Sequence, residues 1–560
     1  MENITVKEIV AATGGRLLCG NETQKIAHLS IDSRTMKGND LFVPLIGEKV
    51  DAHRFIEQAF GAGAVAVLTS EHDTAEDAEH AWIRVADTKK ALQDIGRYYR
   101  SRLSLPLVGI TGSVGKTTTR EMVAAALSAK YQVYKTPGNS NSQVGVPITL
   151  SEITSADEIG VLELGMSMPG ELTVIAKIAQ VDMAVITNVG ITHIEQLGSQ
   201  ENIYHEKLTI QDGLKDGGIL FLNGDDPLLK DTKAKAGCRT VYYGTRENSE
   251  YRAEDIRSED GYPVFTANCR GEKYMVRLSI MGRHNVLNAM VALAVADLSG
   301  VPLSGAVKSL AAFTGFKNRQ QIAEKNGVTI IDDTYNASPV SMKAGLEVLE
   351  AKAKGRRIAV LADMKELGPD SPKFHYEVGS WMKSHPVDIL FTYGELAEQI
   401  ARGAKRAGMK AEYLHFDVMD GMFVSNISFG IPVLASIKGA ADIVMDVHLM
   451  IEEPIRYVEA FHKAGADILN VHYEACEDVQ ATLDAIHKCG MKAGLTIKPA
   501  TPVEVLKPYL DQAELFLIMS VEPGKGGQSF IPESLDKIRE LRGLLNEKGL
   551  TADVEVDGGI

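Results

Sequence analysis

Cysteine is scarce in this 560-residue chain: only Cys19, Cys238, Cys269, Cys476 and Cys489, with no C-x-x-C pair. That spacing excludes a disulfide framework and a cysteine-built zinc site, and is expected of reduced thiols in a cytoplasmic protein. Also missing is any run of roughly 18 uninterrupted apolar residues, so no membrane span is expected. The opening Met1-Glu2-Asn3-Ile4 lacks the charged-then-apolar build of a secretory signal. Positive charge is in short supply. Lys and Arg number 59 against 74 Asp and Glu, leaving −15. With no basic stripe, that balance disfavours nucleic acid as a partner. Anionic substrates therefore need local cations, a metal or backbone N–H groups. No low-complexity linker is visible. A composition 45% apolar and 24% charged is that of folded protein, and the length calls for three or four domains at about 150 residues each.

What is present is an alternation of short apolar strands with helices of 10–15 residues, the pattern of a parallel α/β sheet. Residues 1–82 carry it at Leu41–Leu45 and Ala64–Leu68. From Pro106 it becomes a repeated strand–loop–helix, with strands at Leu107–Ile110, Gly160–Leu164, Met183–Thr187 and Gly218–Asn223. A third region opens near Val328–Ile331 and Ile358–Leu361. After Met409 six more strands follow, at Tyr413–Val418, Ile443–Val447, Ile468–Val471, Gly494–Ile497, Leu515–Met519 and Asp553–Val556. Their spacing is barrel-like.

The run Gly109-Ile110-Thr111-Gly112-Ser113-Val114-Gly115-Lys116-Thr117-Thr118 follows a strand and opens a helix. Glycines let N–H groups close around phosphate oxygens, and the helix start adds positive partial charge. Lys116 suits the β- and γ-phosphates, and the Thr117 hydroxyl suits Mg²⁺. The strict spacing asks for glycine where Ile110 stands, so an ordinary glycine-rich turn is the alternative.

Here the sequence resembles the Mur ligase family, whose variant of this loop is T-G-x-x-G-K-T-T. Supporting phrases are Thr136-Pro137-Gly138-Asn139, Gly145-Val146-Pro147, Glu163-Leu164-Gly165-Met166, Asn188-Val189-Gly190-Ile191-Thr192-His193, Gly282–Asn288 and Asp332–Pro339. The resemblance covers about residues 1–409 and implies three domains: 1–82 binding a uridine-diphosphate substrate, 83–318 binding ATP through the P-loop, and a Rossmann-like 319–409. It implies amide synthesis from UDP-N-acetylmuramoyl-tripeptide and D-alanyl-D-alanine through an acyl phosphate. ATP and Mg²⁺ are the implied cofactors, with Gly112, Ser113, Val114, Gly115, Lys116, Thr117 and Thr118 around the phosphates. Lys116 and two Mg²⁺ would offset repulsion between ATP and the carboxylate. Glu163 and His193 match metal ligands, and Lys207 matches a lysine carbamylated on its ε-nitrogen; a solvated helical lysine is the alternative for the last. Asn285 and Asn288 match positions around adenine, and Arg319 with Asp333 positions near ribose and phosphate. A buried helix-start role is the alternative for Asn285. Ser33 and Arg34, with Gly47-Glu48 and Asp51-Ala52-His53, resemble the uridine-diphosphate site.

His415-Phe416-Asp417 places two polar side chains on one strand face. His448 and Asp557 sit at two further strand ends, and together the four form a candidate divalent-metal site for Zn²⁺, Fe²⁺ or Mn²⁺. Such a metal would stabilise an enediolate while Asp417 and Asp557 move protons on opposite faces. With Pro523-Gly524 and Gly526-Gly527-Gln528-Ser529-Phe530, this segment resembles ribulose-phosphate 3-epimerase over about 411–560, a partial (β/α)8 TIM barrel within 410–560. Both resemblances are incomplete. The first lacks the family's last strands and its K-G-S-R segment; the second lacks its first strand and its phosphate-holding loop. Reduced ligase activity and little or no epimerisation are therefore expected. One further expectation is that Asp388–Tyr393 and the helix 395–408 stand in for the barrel's missing first repeat. A ligase, a bifunctional ligase–epimerase and a fusion without activity remain open, as does the oligomeric state.

Overall fold

The structure, a computed structural model, describes all residues except 48, 317–318, 326, 410–412, 441–442, 526–527 and 559–560. Glu48 of the uridine-site phrase, Gly526, Gly527 and Gly559, and the boundaries drawn at 318 and 410, lie outside the described residues. The chain forms two compact units, Met1–Gly408 and Met409–Ile560.

The first unit begins with a five-stranded sheet, ordered Arg16–Cys19, Ala81–Arg84, Ala64–Thr69, Asp40–Phe42, His28–Ser30. The helix Val6–Thr13 packs there, its start closed by a capping box in which Thr5 and Glu8 satisfy each other's backbone N–H groups. The helix Thr88–Arg102 leads to a nine-stranded sheet. Its parallel part runs Val133–Lys135, Ile159–Glu163, Leu107–Thr111, Met183–Ile186, Ile219–Asn223, Arg239–Gly244, and Tyr251–Glu259, Tyr262–Cys269 and Glu272–Arg277 extend it, the last two antiparallel. Strands such as Leu107–Thr111 and Ile159–Glu163 are buried at every position, as expected of a sheet covered on both faces. The helix Asn285–Leu298 is apolar nearly all round and fills the core between sheet and the helix Lys116–Leu127.

Topology fixes where a ligand can sit. The chain leaves Leu107–Thr111 toward Val133–Lys135 on one side, returns through Ile159–Glu163, and continues on the other side with Met183–Ile186. The order reverses at Leu107–Thr111, and the carboxyl ends of three adjacent parallel strands open a crevice there.

Residues 319–408 hold two small sheets, the hairpin Gln321–Lys325 with Val328–Asp332 and the parallel pair Ile358–Ala362 with Ile389–Tyr393, plus helices Pro339–Lys352, Ser371–Trp381 and Glu398–Arg406. The pairing of Ile358 with Ile389 and of Val360 with Phe391 corrects one expectation. Ile389–Tyr393 does not serve as a substitute barrel strand beside Tyr413–Met419: among the described residues it pairs with Ile358–Ala362 in a two-stranded sheet, and Tyr413–Met419 pairs with Val444–Met450.

The second unit is one six-stranded parallel sheet in chain order, Tyr413–Met419, Val444–Met450, Ile468–His472, Lys492–Ile497, Leu515–Met519, Asp553–Asp557. It is a curled half-barrel and not a complete eight-stranded barrel. Its own core joins Phe416, Val447, Leu469, Leu495 and Phe516 to helix residues such as Leu434, Leu483 and Leu541. Among the described residues no helix is long and apolar enough to cross a membrane.

Candidate active site

Three loops meet at the crevice. The first runs from Gly112 to Gly115, whose φ of 152° and 84° favour glycine. A Cβ on Gly112 would lie 1.9 Å from Thr187 Oγ1. The second loop clamps the first. Asn188 accepts from Val114 N at 3.0 Å through Oδ1 and from Ser113 N at 3.1 Å through its carbonyl, and its Nδ2 donates back to Val114 O at 2.8 Å. Thr187 Oγ1 also donates to Val114 O, and Gly190 N donates to Ser113 Oγ, each at 2.8 Å. Ser113 and Val114 are thereby satisfied. The N–H groups of Gly115, Lys116 and Thr117 have no acceptor among the described residues. A helix start leaves such donors for capping groups or for an anion, and this one has no side-chain cap. Lys116 Nζ, meanwhile, donates to Gly112 O at 2.8 Å.

Glu163 ends the neighbouring strand, 3% exposed. Asn141 Nδ2 donates to its Oε1 at 2.8 Å and Arg120 Nη1 contacts its Oε2 at 3.2 Å. Arg120, 2% exposed, also pairs with Glu121 at 2.7 Å and donates to Gly138 O at 2.8 Å. The Lys116 ammonium is pushed below its ordinary range by burial, against the pull of Glu163, with Arg319 adding repulsion. Lys207, 2% exposed, is lowered much further, first by burial and then by neighbouring Lys116. It makes no hydrogen bond or ion pair among the described residues. His193 closes the crevice from the third loop. Burial lowers its imidazole, Glu366 raises it, and Lys116 and Lys207 lower it again.

Asn285 and Asn288 lie behind the phosphate loop in a relay: Thr119 Oγ1 donates to Asn288 Oδ1 at 3.0 Å, Asn288 Nδ2 to Asn285 Oδ1 at 2.9 Å, and Asn285 Nδ2 to Met281 O at 2.6 Å. The Arg319 guanidinium lies 4.1 Å from the centroid of the Tyr335 ring, and burial raises the Asp333 carboxyl while Arg319 lowers it. Thr118 sits in the first turn of the helix. Ser33 is buried at 7% exposure, whereas Arg34 reaches solvent and pairs with Asp32 at 2.7 Å. Among the described residues no hydrogen bond or ion pair joins Ser33 or Arg34 to the phosphate loop.

In the second unit, His415, Asp417, His448 and Asp557 each present a ligand atom, all four within 4.8 Å of one another. His448 Nδ1 stands 2.9 Å from Asp417 Oδ1, and His415 Nε2 stands 3.3 Å from the same atom. His415 Nδ1 is held by Asp446 at 2.7 Å, and Asn470 Nδ2 binds Asp446 in turn at 2.5 Å. His415 Nε2 is buried without a hydrogen-bond partner. Two imidazoles and two carboxylates, one nitrogen orphaned toward the cluster, suit a divalent transition metal. Burial would raise Asp417, but His415 and His448 hold its carboxyl far below the usual range. Asp557 goes the other way, raised by burial and by the charge of Asp417.

Comparison with known proteins decides the first unit. A relative from Bacillus subtilis, UDP-N-acetylmuramoyl-tripeptide–D-alanyl-D-alanine ligase, is 39% identical over 416 residues, covering 74% of this chain and 90% of its own. The chain belongs to the Mur ligase family. Its catalytic domain matches at 25–100, its middle domain at 110–296 and its glutamate ligase domain at 318–427. The MurF structure from Acinetobacter baumannii superposes with a TM-score of 0.68 at 30% identity, covering 79% of this chain and 94% of that one. MurF ligase from Thermotoga maritima, solved with ADP, gives 0.61 at 28%, covering 78% and 97%. As a Mur ligase the chain is an ATP-dependent, amide-forming enzyme. The ribulose-phosphate 3 epimerase family matches 392–560, overlapping the last ligase match over 392–427.

Asn188, Asn141, Arg120 and Glu366 escape a reading of the sequence as site residues. Asn188 opens the run Asn188–His193, but only the fold shows it bonded to the loop; nothing local marks the other three.

Proposed function

We propose that the first unit joins D-alanyl-D-alanine to UDP-N-acetylmuramoyl-tripeptide in peptidoglycan precursor synthesis, at the expense of ATP. The supporting observation is the row of unpartnered N–H groups at Gly115, Lys116 and Thr117, beside a buried carboxylate and two lysines. It fits a triphosphate: donors that water or anion must satisfy, at the positive end of a helix dipole. Thr117, Glu163 and His193 offer the oxygen and nitrogen ligands for Mg²⁺, which when bound supplies positive charge against the transferring phosphoryl group. Lys116 neutralises the outer phosphates and lets the substrate carboxylate approach. Burial, and then Lys116, push the Lys207 ammonium well below its ordinary range and so favour the free amine, the form that adds carbon dioxide and loses a proton to give an anionic carbamate. Ser113, Val114, Gly112 and Thr118 shape the cradle. Asn285 and Asn288 fix its floor below the adenine, Arg319 and Asp333 flank ribose and phosphate, and Ser33 with Arg34 receives the uridine diphosphate. The domain division that goes with this reading is 1–82, 83–318 and 319–409.

The test is phosphate release by the full chain with ATP, Mg²⁺, the tripeptide nucleotide and D-alanyl-D-alanine. Release should require both acceptor and donor, and Lys116→Ala should lower it by at least about a hundredfold, the scale of losing a charge stabiliser. ATP binding unaffected by Lys116→Ala defeats the assignment.

A second reading rests on the His415 cluster: epimerisation of D-ribulose 5-phosphate, with Asp417 and Asp557 exchanging a proton on opposite faces. The divergent shifts of the two carboxyls favour an acid–base pair. Turnover is expected to be slight in an open, six-stranded sheet. A Zn²⁺-, Fe²⁺- or Mn²⁺-dependent exchange of solvent deuterium into the sugar phosphate, lost in Asp557→Asn, measures it.

A further inference from the structure

We infer that Glu366 is a positioning residue for His193, fixing that imidazole from a loop in a distant part of the sequence.

 The separation is 173 residues, so only the fold brings the two together. The inference rests on the ligase reading above and goes beyond it. Glu366 Oε2 stands 2.5 Å from His193 Nδ1, an ion-pair contact at an angle outside hydrogen-bond geometry, and that buried nitrogen has no other partner among the described residues. A carboxylate facing Nδ1 favours the proton on that nitrogen and leaves the Nε2 lone pair free, the tautomer able to ligate a metal. The loop carrying Glu366 is itself fixed on the crevice. Glu195 N donates to Glu366 O at 3.4 Å, and a Cβ on Gly368 would lie 3.4 Å from Glu195 Cα. Glu366 and Gly368 both hold positive φ, at 62° and 63°, so the turn is shaped to present this carboxylate. Its other side is anchored in the core: Met364 and Leu367 are buried, and buried His375 accepts from Met364 N at 2.8 Å while its Nδ1 faces Ser371 O at 2.7 Å. His193 also has positive φ, 64°, and begins the short helix Ile194–Leu197 without a side-chain cap, so its backbone alone does not orient the ring.

The experiment uses the full chain with a non-hydrolysable ATP analogue and Mn²⁺ as the probe metal, free Mn²⁺ being read by electron paramagnetic resonance. His193→Ala should weaken one Mn²⁺ site. Glu366→Ala and the isosteric Glu366→Gln should weaken that same site, by about 10- to 100-fold, the usual effect of removing a ligand's orienting partner, and Glu366→Asp should restore part of it. In steady state, Glu366→Gln should lower kcat while the KM for the uridine nucleotide stays within about twofold. Mn²⁺ binding unchanged in both Glu366→Ala and Glu366→Gln, with His193→Ala weakened, overturns the inference and leaves the ligase reading standing. Unchanged binding in His193→Ala itself removes His193 from the metal site and takes the inference with it.

Discussion

At the scale of single residues, two positions have consequences that their type alone does not announce. Gly112 is held at φ 152° with Thr187 Oγ1 where a Cβ would go. Gly112→Ala must displace Thr187, which then loses its bond to Val114 O. ATP affinity of that variant, measured by calorimetric titration, should fall at least about tenfold, since backbone strain of this kind costs about 1–3 kcal/mol. Asp77 is the second. It accepts from Glu79 N at 2.8 Å, His80 N at 3.0 Å and Trp82 Nε1 at 3.1 Å. Burial works against its charge, yet these donors bring the carboxyl down to about 2. A carboxyl lowered on folding stabilises fully above its unfolded value, near 4, and loses that contribution as pH falls toward 2. Asp77→Ala should therefore cost about 1–2 kcal/mol at pH 7 and progressively less below pH 4, read from urea unfolding at the two pH values. Glycines at 112 and 115, Lys116 and Thr117 were legible in the sequence because their chemistry is local. Arg120, Asn141 and Glu366 were not, because each acts on a partner that only the fold brings near.

At the scale of elements, the sheet of the first unit explains why the motifs were readable in the right order. Strand ends at Thr111, Glu163 and Ile186 are neighbours in the sheet although 75 residues separate the outer two in sequence. Each motif sits directly after its strand, so reading strands was enough to place loops on one edge. The same logic failed at Ile389–Tyr393. Its apolar pattern and spacing fit either of two sheets, and strand pairing is decided by tertiary contacts that a strand does not encode. The pair it forms with Ile358–Ala362 leaves Ile358, Val360, Phe391 and Tyr393 at 42–68% exposure. An apolar face of that kind promotes self-association. Replacing Val360 and Phe391 together with lysine should change unfolding free energy by no more than about 0.5 kcal/mol, as for exposed sites, while lowering light scattering on concentration. A large loss of stability would mean that this face is covered in solution.

At the scale of the whole molecule, each unit has its own core, one centred on Val108, Phe221 and Ala292, the other on Val447, Leu469 and Phe516. Calorimetry should resolve two transitions. A non-hydrolysable ATP analogue with Mg²⁺ at a hundred times its Kd should stabilise the first unit by about 2.7 kcal/mol and leave the other transition in place; Zn²⁺ added without nucleotide should move only the second. A single transition responding to both ligands would contradict this. The barrel-like class of the second unit was legible from six evenly spaced strands, and the candidate cluster His415, Asp417, His448 and Asp557 from its places at strand ends. What spacing could not supply was the curvature.

That curvature has its own result. Among the described residues the first and last strands of the six share no backbone ladder, yet His415 Nδ1 on the first comes within 3.2 Å of Glu555 Oε1 on the last, and Asp557 Oδ2 on the last within 3.9 Å of His448 on the second. The arc is thus bridged by side chains across its hollow, as a bow is by its string.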